Sequence, residues 1–201
     1  MKNIVFDVGM VLVNFRWPDY MRDKGFDEPT IKELGEKMIC SSIWDELDLG
    51  ISDEADLILQ LKEKLSSYEH ELDLFWSDLE RLVEEYEYAG PLISRLKQEG
   101  YNVYLLSNYP KGMYEVHWKK FTFSNNIDGF VVSSLEKMVK PDPQIYQLLL
   151  DRYQLEASDT VFIDDRAVNI EAARNLGITG ILFEDYQLLL TEFNKLNILK
   201  F

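Results

Sequence analysis

Four short apolar runs, spread over the whole chain, each stop on polar residues, and this repeated ending constrains the fold more than any other feature. Asn3-Ile4-Val5-Phe6 stops at Asp7, with Gly9 two places on; Val103-Tyr104-Leu105-Leu106 stops at Ser107-Asn108; Gly129-Phe130-Val131-Val132 stops at Ser133-Ser134; Thr160-Val161-Phe162-Ile163 stops at Asp164-Asp165. Runs that are apolar on both faces suit the strands of a parallel sheet, which helices cover on both sides. In such sheets ligands bind beyond the carboxyl ends of the strands. Taken singly, these residues have plain structural uses. Asp7 can end a strand, Asp165 can cap the next helix, Ser107-Asn108 can make a turn, and a lysine before proline, Lys140, can lie in solvent. Polar endings that recur at one edge read instead as the rim of a site.

Helical patterns fill the spaces between the later runs. Gly90-Pro91 opens one through Leu92 and Leu96 that stops at Gly100. Pro141-Asp142-Pro143 precedes another with Ile145, Leu148 and Leu149 on one face, and a third runs on to Gly177. A last strand, 178–183, and a last helix carrying Tyr186, Leu189, Leu190 and Phe193 follow. Strand–helix alternation of this kind predicts an α/β fold, a Rossmann-like open parallel sheet with helices on both faces.

Residues 16–88 follow a different rule. Ile31, Leu34 and Met38 suggest one helix, Ile58, Leu61 and Leu65 after Ser52-Asp53-Glu54 a second, and Leu72, Phe75/Trp76, Leu79 and Leu82/Val83 a third. The stretch carries no strand signal and predicts an inserted α-helical bundle, with Trp44 and Trp76 in its core. The expected division is a sheet-bearing core of residues 1–15 and 89–201 and an inserted helical lobe of residues 16–88, which would hang over the rim.

Charge and composition remove several functions. With 21 basic and 36 acidic residues the formal charge is −15, which repels nucleic acid and anionic membranes. An anionic substrate therefore needs a local device, a metal or a placed lysine. The single cysteine, Cys40, excludes an internal disulfide and a cysteine zinc site, and within Met38-Ile39-Cys40 it reads as a core residue. His70 and His117 lack ligand spacing. Neither a signal peptide nor a membrane span is apparent, so a cytoplasmic setting is expected.

Taken together, Phe6-Asp7-Val8-Gly9, Leu106-Ser107-Asn108, Val139-Lys140-Pro141-Asp142-Pro143 and Phe162-Ile163-Asp164-Asp165 resemble the four ordered motifs of the haloacid dehalogenase-like hydrolases. The helical insertion resembles their cap of the first type. Asp7-Val8-Gly9, Lys140-Pro141 with Ile145-Tyr146, and the run from Asp164 to Ile170 are closest to the glucose-1-phosphatase-like branch.

The resemblance implies a magnesium-dependent phosphatase that hydrolyses a small phosphorylated metabolite, such as a hexose 1-phosphate, through an aspartyl-phosphate. Magnesium prefers hard oxygen ligands and offsets the negative phosphate oxygens. Asp7 would be nucleophile and metal ligand. The Gly9 carbonyl and Asp165 would complete the metal's protein ligands, with Asp164 behind them and Asn169 orienting it. Lys140 would place a positive charge on the phosphate and Asp7, and Ser107 and Asn108 would donate hydrogen bonds to the phosphoryl oxygens.

Two residues depart from the family pattern. The family usually carries a second aspartate, acting as general acid and base, where this chain has Gly9, and often a glycine where it has Lys137. Glycine at position 9 keeps the carbonyl and loses the acid, a contribution of typically ~10²–10⁴-fold. A 2-haloacid dehalogenase tolerates a non-acidic residue there but has no use for Asp164-Asp165. A phosphosugar mutase needs the missing acid. A non-catalytic binding protein would not need Asp7, Lys140 and Asp165 intact.

Overall fold

The structure, a computed structural model, describes residues 1–200. In chain order the elements are β1 (Asn3–Phe6), β2 (Val13–Phe15), α1 (Trp17–Asp23), α2 (Glu28–Leu34) running into a π-helical turn (Gly35–Ile39), α3 (Ser42–Leu49), α4 (Glu54–Lys64), α5 (Glu69–Trp76) and β3 (Val83–Glu85). Then come α6 (Ala89–Gln98), β4 (Asn102–Ser107), α7 (Lys111–His117), β5 (Gly129–Val132), α8 (Ser133–Glu136), α9 (Pro143–Tyr153), β6 (Thr160–Asp164), α10 (Ala167–Asn175), β7 (Thr179–Leu182) and α11 (Tyr186–Lys195). No helix among the described residues is long and apolar enough to cross a membrane.

Five strands form one parallel sheet in the order β5-β4-β1-β6-β7. Successive side chains of a strand point to opposite faces, and the core divides accordingly. Ile4, Phe6, Val103, Leu105, Val161 and Ile163 pack on one face with Leu92 and Leu96 of α6 and Phe193 of α11. Val5, Tyr104, Leu106 and Phe162 pack on the other with Ile145, Tyr146 and Leu149 of α9 and Ile170 of α10. Each fully buried side chain of this size is worth about 1.5–3 kcal/mol, so both faces hold β1 at the centre of the sheet. Phe6 lies opposite Leu105 and Ile163, which places the residues after β1, β4 and β6 side by side at one edge.

The expectation that residues 16–88 hold only helices fails at one place. α5 ends at Trp76, and Val83–Glu85 is a strand paired antiparallel with Val13–Phe15. Its three residues are too few to show a period of two, and Leu79 and Leu82/Val83 happen to continue the helical spacing of α5. The cap signal at Asp53 is real: its carboxylate accepts the backbone N–H groups of Ala55 and Asp56 and starts α4. Leu57 and Leu61 form the buried stripe of that helix, while Ile58 is only half-buried. Trp44 is buried against Phe15, Phe75 and Trp76.

The end of α3 is seated on α8. Gly50 has φ +65°, and a Cβ there would lie 2.6 Å from the Ser134 carbonyl oxygen, so this close approach requires glycine. Ser133 Oγ donates to the Asp48 carbonyl at 2.5 Å. Lys137, the residue that departs from the family glycine, takes the left-handed conformation a glycine would adopt, with φ 61°. Its ammonium donates to the carbonyls of Gly50 and Ser134, an anchor that glycine could not supply. Elsewhere the Gly112 N–H donates to Glu54 at 2.8 Å, and buried His117 donates from Nε2 to the Leu79 carbonyl and accepts from Tyr109 at Nδ1.

Candidate active site

The central strand delivers Asp7 to the carboxyl edge of the sheet, where the Asp7 N–H donates to the Ile163 carbonyl at 2.8 Å. Asp7 is buried, and its Oδ1 accepts the Val8 N–H at 2.6 Å and lies 2.9 Å from Lys140 Nζ. Lys140 Nζ also lies 2.7 Å from Asp164 Oδ2. Lys140 is not the solvated lysine its sequence context allows: its side chain is 1% exposed, and Phe162 packs beneath the ammonium with its ring centroid 5.4 Å away.

The motif residues also hold one another. Asn108 Oδ1 accepts the Lys140 N–H at 2.8 Å and its Nδ2 donates to the Lys140 carbonyl at 3.0 Å. The side-chain amide of Asn108 thus fixes the backbone that presents the ammonium. Asp164 has no exposed surface, and its carboxylate accepts the Arg166 N–H, the Asn169 amide and Lys140. Asp165 does not cap α10, whose cap position is Arg166. Ser107 is buried, its hydroxyl directed to the Asn108 carbonyl at 3.4 Å. Ser133 leaves the rim altogether, since it anchors α3 and accepts the Tyr109 N–H.

A cavity of about 380 Å³ opens above these groups. Its floor holds Asp7, Gly9, Asn108, Lys140, Asp165 and Asn169; Val13, Phe15, Trp44, Val83 and Met113 give it apolar walls; Asp45 and Asp48 of α3 face it from above. Arg16 and Trp17, which open the inserted helical segment, lie outside the cavity: Arg16 pairs with Asp23, and Trp17 covers Gly35. Cys40 is not a core residue. It is exposed and lines the cavity, because the π-helical turn carries its side chain past the apolar stripe of α2.

Asp48 is the residue that sequence reasoning missed. Among 36 acidic residues nothing marks it except that Asp45 and Asp48 stand three apart beside Trp44, on one face of a helix.

Burial raises the Asp7 carboxyl to about 7, with Asp164 and Asp165 adding to the rise and Lys140 opposing it. Burial, then the neighbouring Asp164, raises Asp165 as well. Burial disfavours charge on Lys140, but Asp7 and Asp164 outweigh it, so the ammonium is held charged.

Oxygens of Asp7, Asp164 and Asp165 lie within 4.8 Å of one another. Asn169 Oδ1 is buried beside them with no hydrogen-bond donor among the described residues. A set of hard oxygen donors without sulfur or imidazole fits magnesium and suits zinc poorly. Hydrogen bonds to the protein already occupy both oxygens of Asp164, whereas Asp7 Oδ2 carries neither the Val8 nor the Lys140 bond.

The chain is 28% identical over 188 residues to a sesquiterpene phosphatase of Aspergillus oryzae, spanning 92% of this chain and 90% of that one. It is also 28% identical to flavin mononucleotide hydrolase 1 of Arabidopsis thaliana, over 97% of this chain and 77% of that one. Among solved structures, a HAD family enzyme of Bacteroides thetaiotaomicron in complex with magnesium and inorganic phosphate superposes with a TM-score of 0.73 at 25% identity, covering 94% of this chain and 98% of that one. The family model of haloacid dehalogenase-like hydrolases matches residues 1–177. With the parallel sheet, the helical insertion and the carboxylate–lysine cluster at the sheet edge, that match makes the chain a member of the haloacid dehalogenase-like hydrolases.

Proposed function

We propose that the protein is a magnesium-dependent phosphatase that hydrolyses small phosphate monoesters through an aspartyl-phosphate on Asp7. One observation carries the reading: Lys140 bridges Asp7 at 2.9 Å and Asp164 at 2.7 Å on the floor of a cavity that also receives Asp165. Asp7, Asp165 and the Gly9 carbonyl would hold the metal, with Asp164 behind them; when bound it supplies positive charge that offsets the phosphate oxygens. Asp7 Oδ2 attacks phosphorus, while the Val8 N–H and Lys140 fix Oδ1 and so orient the carboxylate. Lys140 stabilises the charge that develops on the phosphoryl group, and Asn108 keeps it in place. A metal-independent dehalogenase would have no use for three clustered carboxylates.

The walls of the cavity bear on the rest of the substrate. Val13, Phe15, Trp44, Val83 and Met113 suit an apolar or aromatic organic group, and the likeness to a sesquiterpene phosphatase and a flavin mononucleotide hydrolase points the same way. A sugar phosphate, such as the hexose 1-phosphate expected from the sequence, is the second reading. Asp45 and Asp48 favour it, because carboxylates accept hydrogen bonds from sugar hydroxyls.

The test is phosphate release from prenyl phosphates, flavin mononucleotide, and hexose 1- and 6-phosphates, with magnesium and with chelator. Turnover should require magnesium, and Asp7→Asn should abolish it while leaving the fold intact. Turnover of purified Asp7→Asn within tenfold of wild type would overturn the assignment.

A further inference from the structure

Gly9 supplies no carboxyl at its position on the cavity floor, and a Cβ built there meets no atom within 4 Å. The space beside Gly9 is therefore open, and besides Asp7 and Asp165 on the floor the carboxyl side chains that line this cavity are Asp45 and Asp48 of α3. Of the two on α3, Asp45 is exposed, whereas Asp48 is half-buried and lies one turn closer to the seat of α3 on α8. Ser133 grips the Asp48 carbonyl at 2.5 Å and Lys137 grips that of Gly50, so the backbone that carries this carboxyl is tied to the core.

We propose that Asp48, supplied by the cap, is the general acid and base of the reaction, in the role left open by Gly9. This rests on the phosphatase reading above. As Asp7 Oδ2 forms its bond to phosphorus, the bond from phosphorus to the ester oxygen breaks. Its electron pair stays on that oxygen, which takes the proton of the Asp48 carboxyl and leaves as the alcohol. In the second half, water attacks phosphorus and gives its proton to the Asp48 carboxylate. The Asp7–phosphorus bond breaks with its pair returning to Asp7, and phosphate departs. Asp48 ends protonated, as it began.

The surroundings fit a group that must start protonated near neutrality. Withdrawal from water raises Asp48 to about 7; Asp45 on its own helix and Asp7 from β1 add to the rise, and Lys140 and Arg166 on the loops before α9 and α10 oppose it. Tyr109, after β4, also senses its charge.

The experiment compares two esters on the magnesium-loaded enzyme. One is p-nitrophenyl phosphate, whose leaving group needs no proton; the other is an alkyl phosphate, whose leaving group does. Asp48→Asn is isosteric and keeps the backbone carbonyl that Ser133 holds. It should lower kcat/KM for the alkyl ester by about 10²-fold or more and change that for p-nitrophenyl phosphate by only a few fold. Adding Gly9→Asp to Asp48→Asn should recover part of the alkyl activity. Equal losses on both esters would make Asp48 a binding residue, and no loss on either would remove it from the site; each overturns the proposal while leaving the phosphatase reading intact. Wild-type protein inert toward both esters would overturn the phosphatase reading itself.

Discussion

Replacing Lys140 with methionine removes the cation that the structure places against Asp7 and Asp164, and the cost can be worked from the distances. At 2.9 and 2.7 Å, and with an effective dielectric constant of about 20, each contact is worth roughly 6 kcal/mol of Coulomb attraction. Burying the ammonium at 1% side-chain exposure costs several kcal/mol, and that cost disappears with the charge. What remains is the penalty for leaving buried carboxylates unpaired, typically about 3–5 kcal/mol. For a chain of this size that is a fall in Tm of roughly 6–20 °C.

The loss depends on charge at Asp7. The Asp7 carboxyl rises from 3.8 to about 7 on folding, so its contribution is fully present below pH 3.8 and is lost as pH rises through 7. Metal-free wild type should therefore lose stability from pH 4 to 8, and Asp7→Asn should flatten that part of the curve. Urea denaturation of wild type, Lys140→Met, Asp7→Asn and the double variant, all in chelator at pH 8, closes the cycle. The Lys140→Met penalty should shrink by about 1–3 kcal/mol in the Asp7→Asn background. A penalty below about 1 kcal/mol, or one of equal size in both backgrounds, would refute the electrostatic account of the site.

Two further outcomes follow from the contacts between the inserted helices and the sheet. Burial lowers the pKa of His117 below its ordinary 6.5, so its contribution to stability is present above pH 6.5 and is lost as pH falls through the lowered folded value. His117→Phe should be less stable at pH 8, having lost the bond to the Leu79 carbonyl, yet show a shallower decline on acidification; a decline as steep as wild type would contradict this. Lys137→Ala and Lys137→Gly both lose the bonds to Gly50 and Ser134, but only glycine relieves the left-handed backbone, so the alanine variant should be less stable by about 1 kcal/mol in urea titrations. Equal stabilities would count against strain at this position.

The sheet and the floor of the site were legible because the same residues serve both. A buried strand needs an apolar run, and a ligand site at its end needs the run to stop on a carboxylate or an amide, so Asp7, Asn108 and Asp164-Asp165 announced fold and site together. The lysine was legible only through its motif, since nothing local distinguishes a buried Lys140 from an exposed one; its backbone is held by Asn108, 32 residues earlier in the chain, and its ammonium by Asp7 and Asp164. The roof was not legible. Asp48 acquires its surroundings when α3 meets α8, a contact between segments about 85 residues apart, and no periodicity within α3 encodes it. Val83–Glu85 was missed for the same reason: a three-residue strand is defined by its partner.

That short strand has a mechanical consequence. The chain leaves the sheet region through Val13–Phe15 and returns through Val83–Glu85, and these two crossings are hydrogen-bonded to each other. Two independent tethers would let the helical region twist and tilt separately, whereas a paired ribbon couples them into a single flexure with few degrees of freedom. Val13, Phe15 and Val83 of the ribbon are also walls of the cavity. Any flexing of the joint therefore changes the width of the chamber, and an organic group wedged between those walls acts directly on the joint.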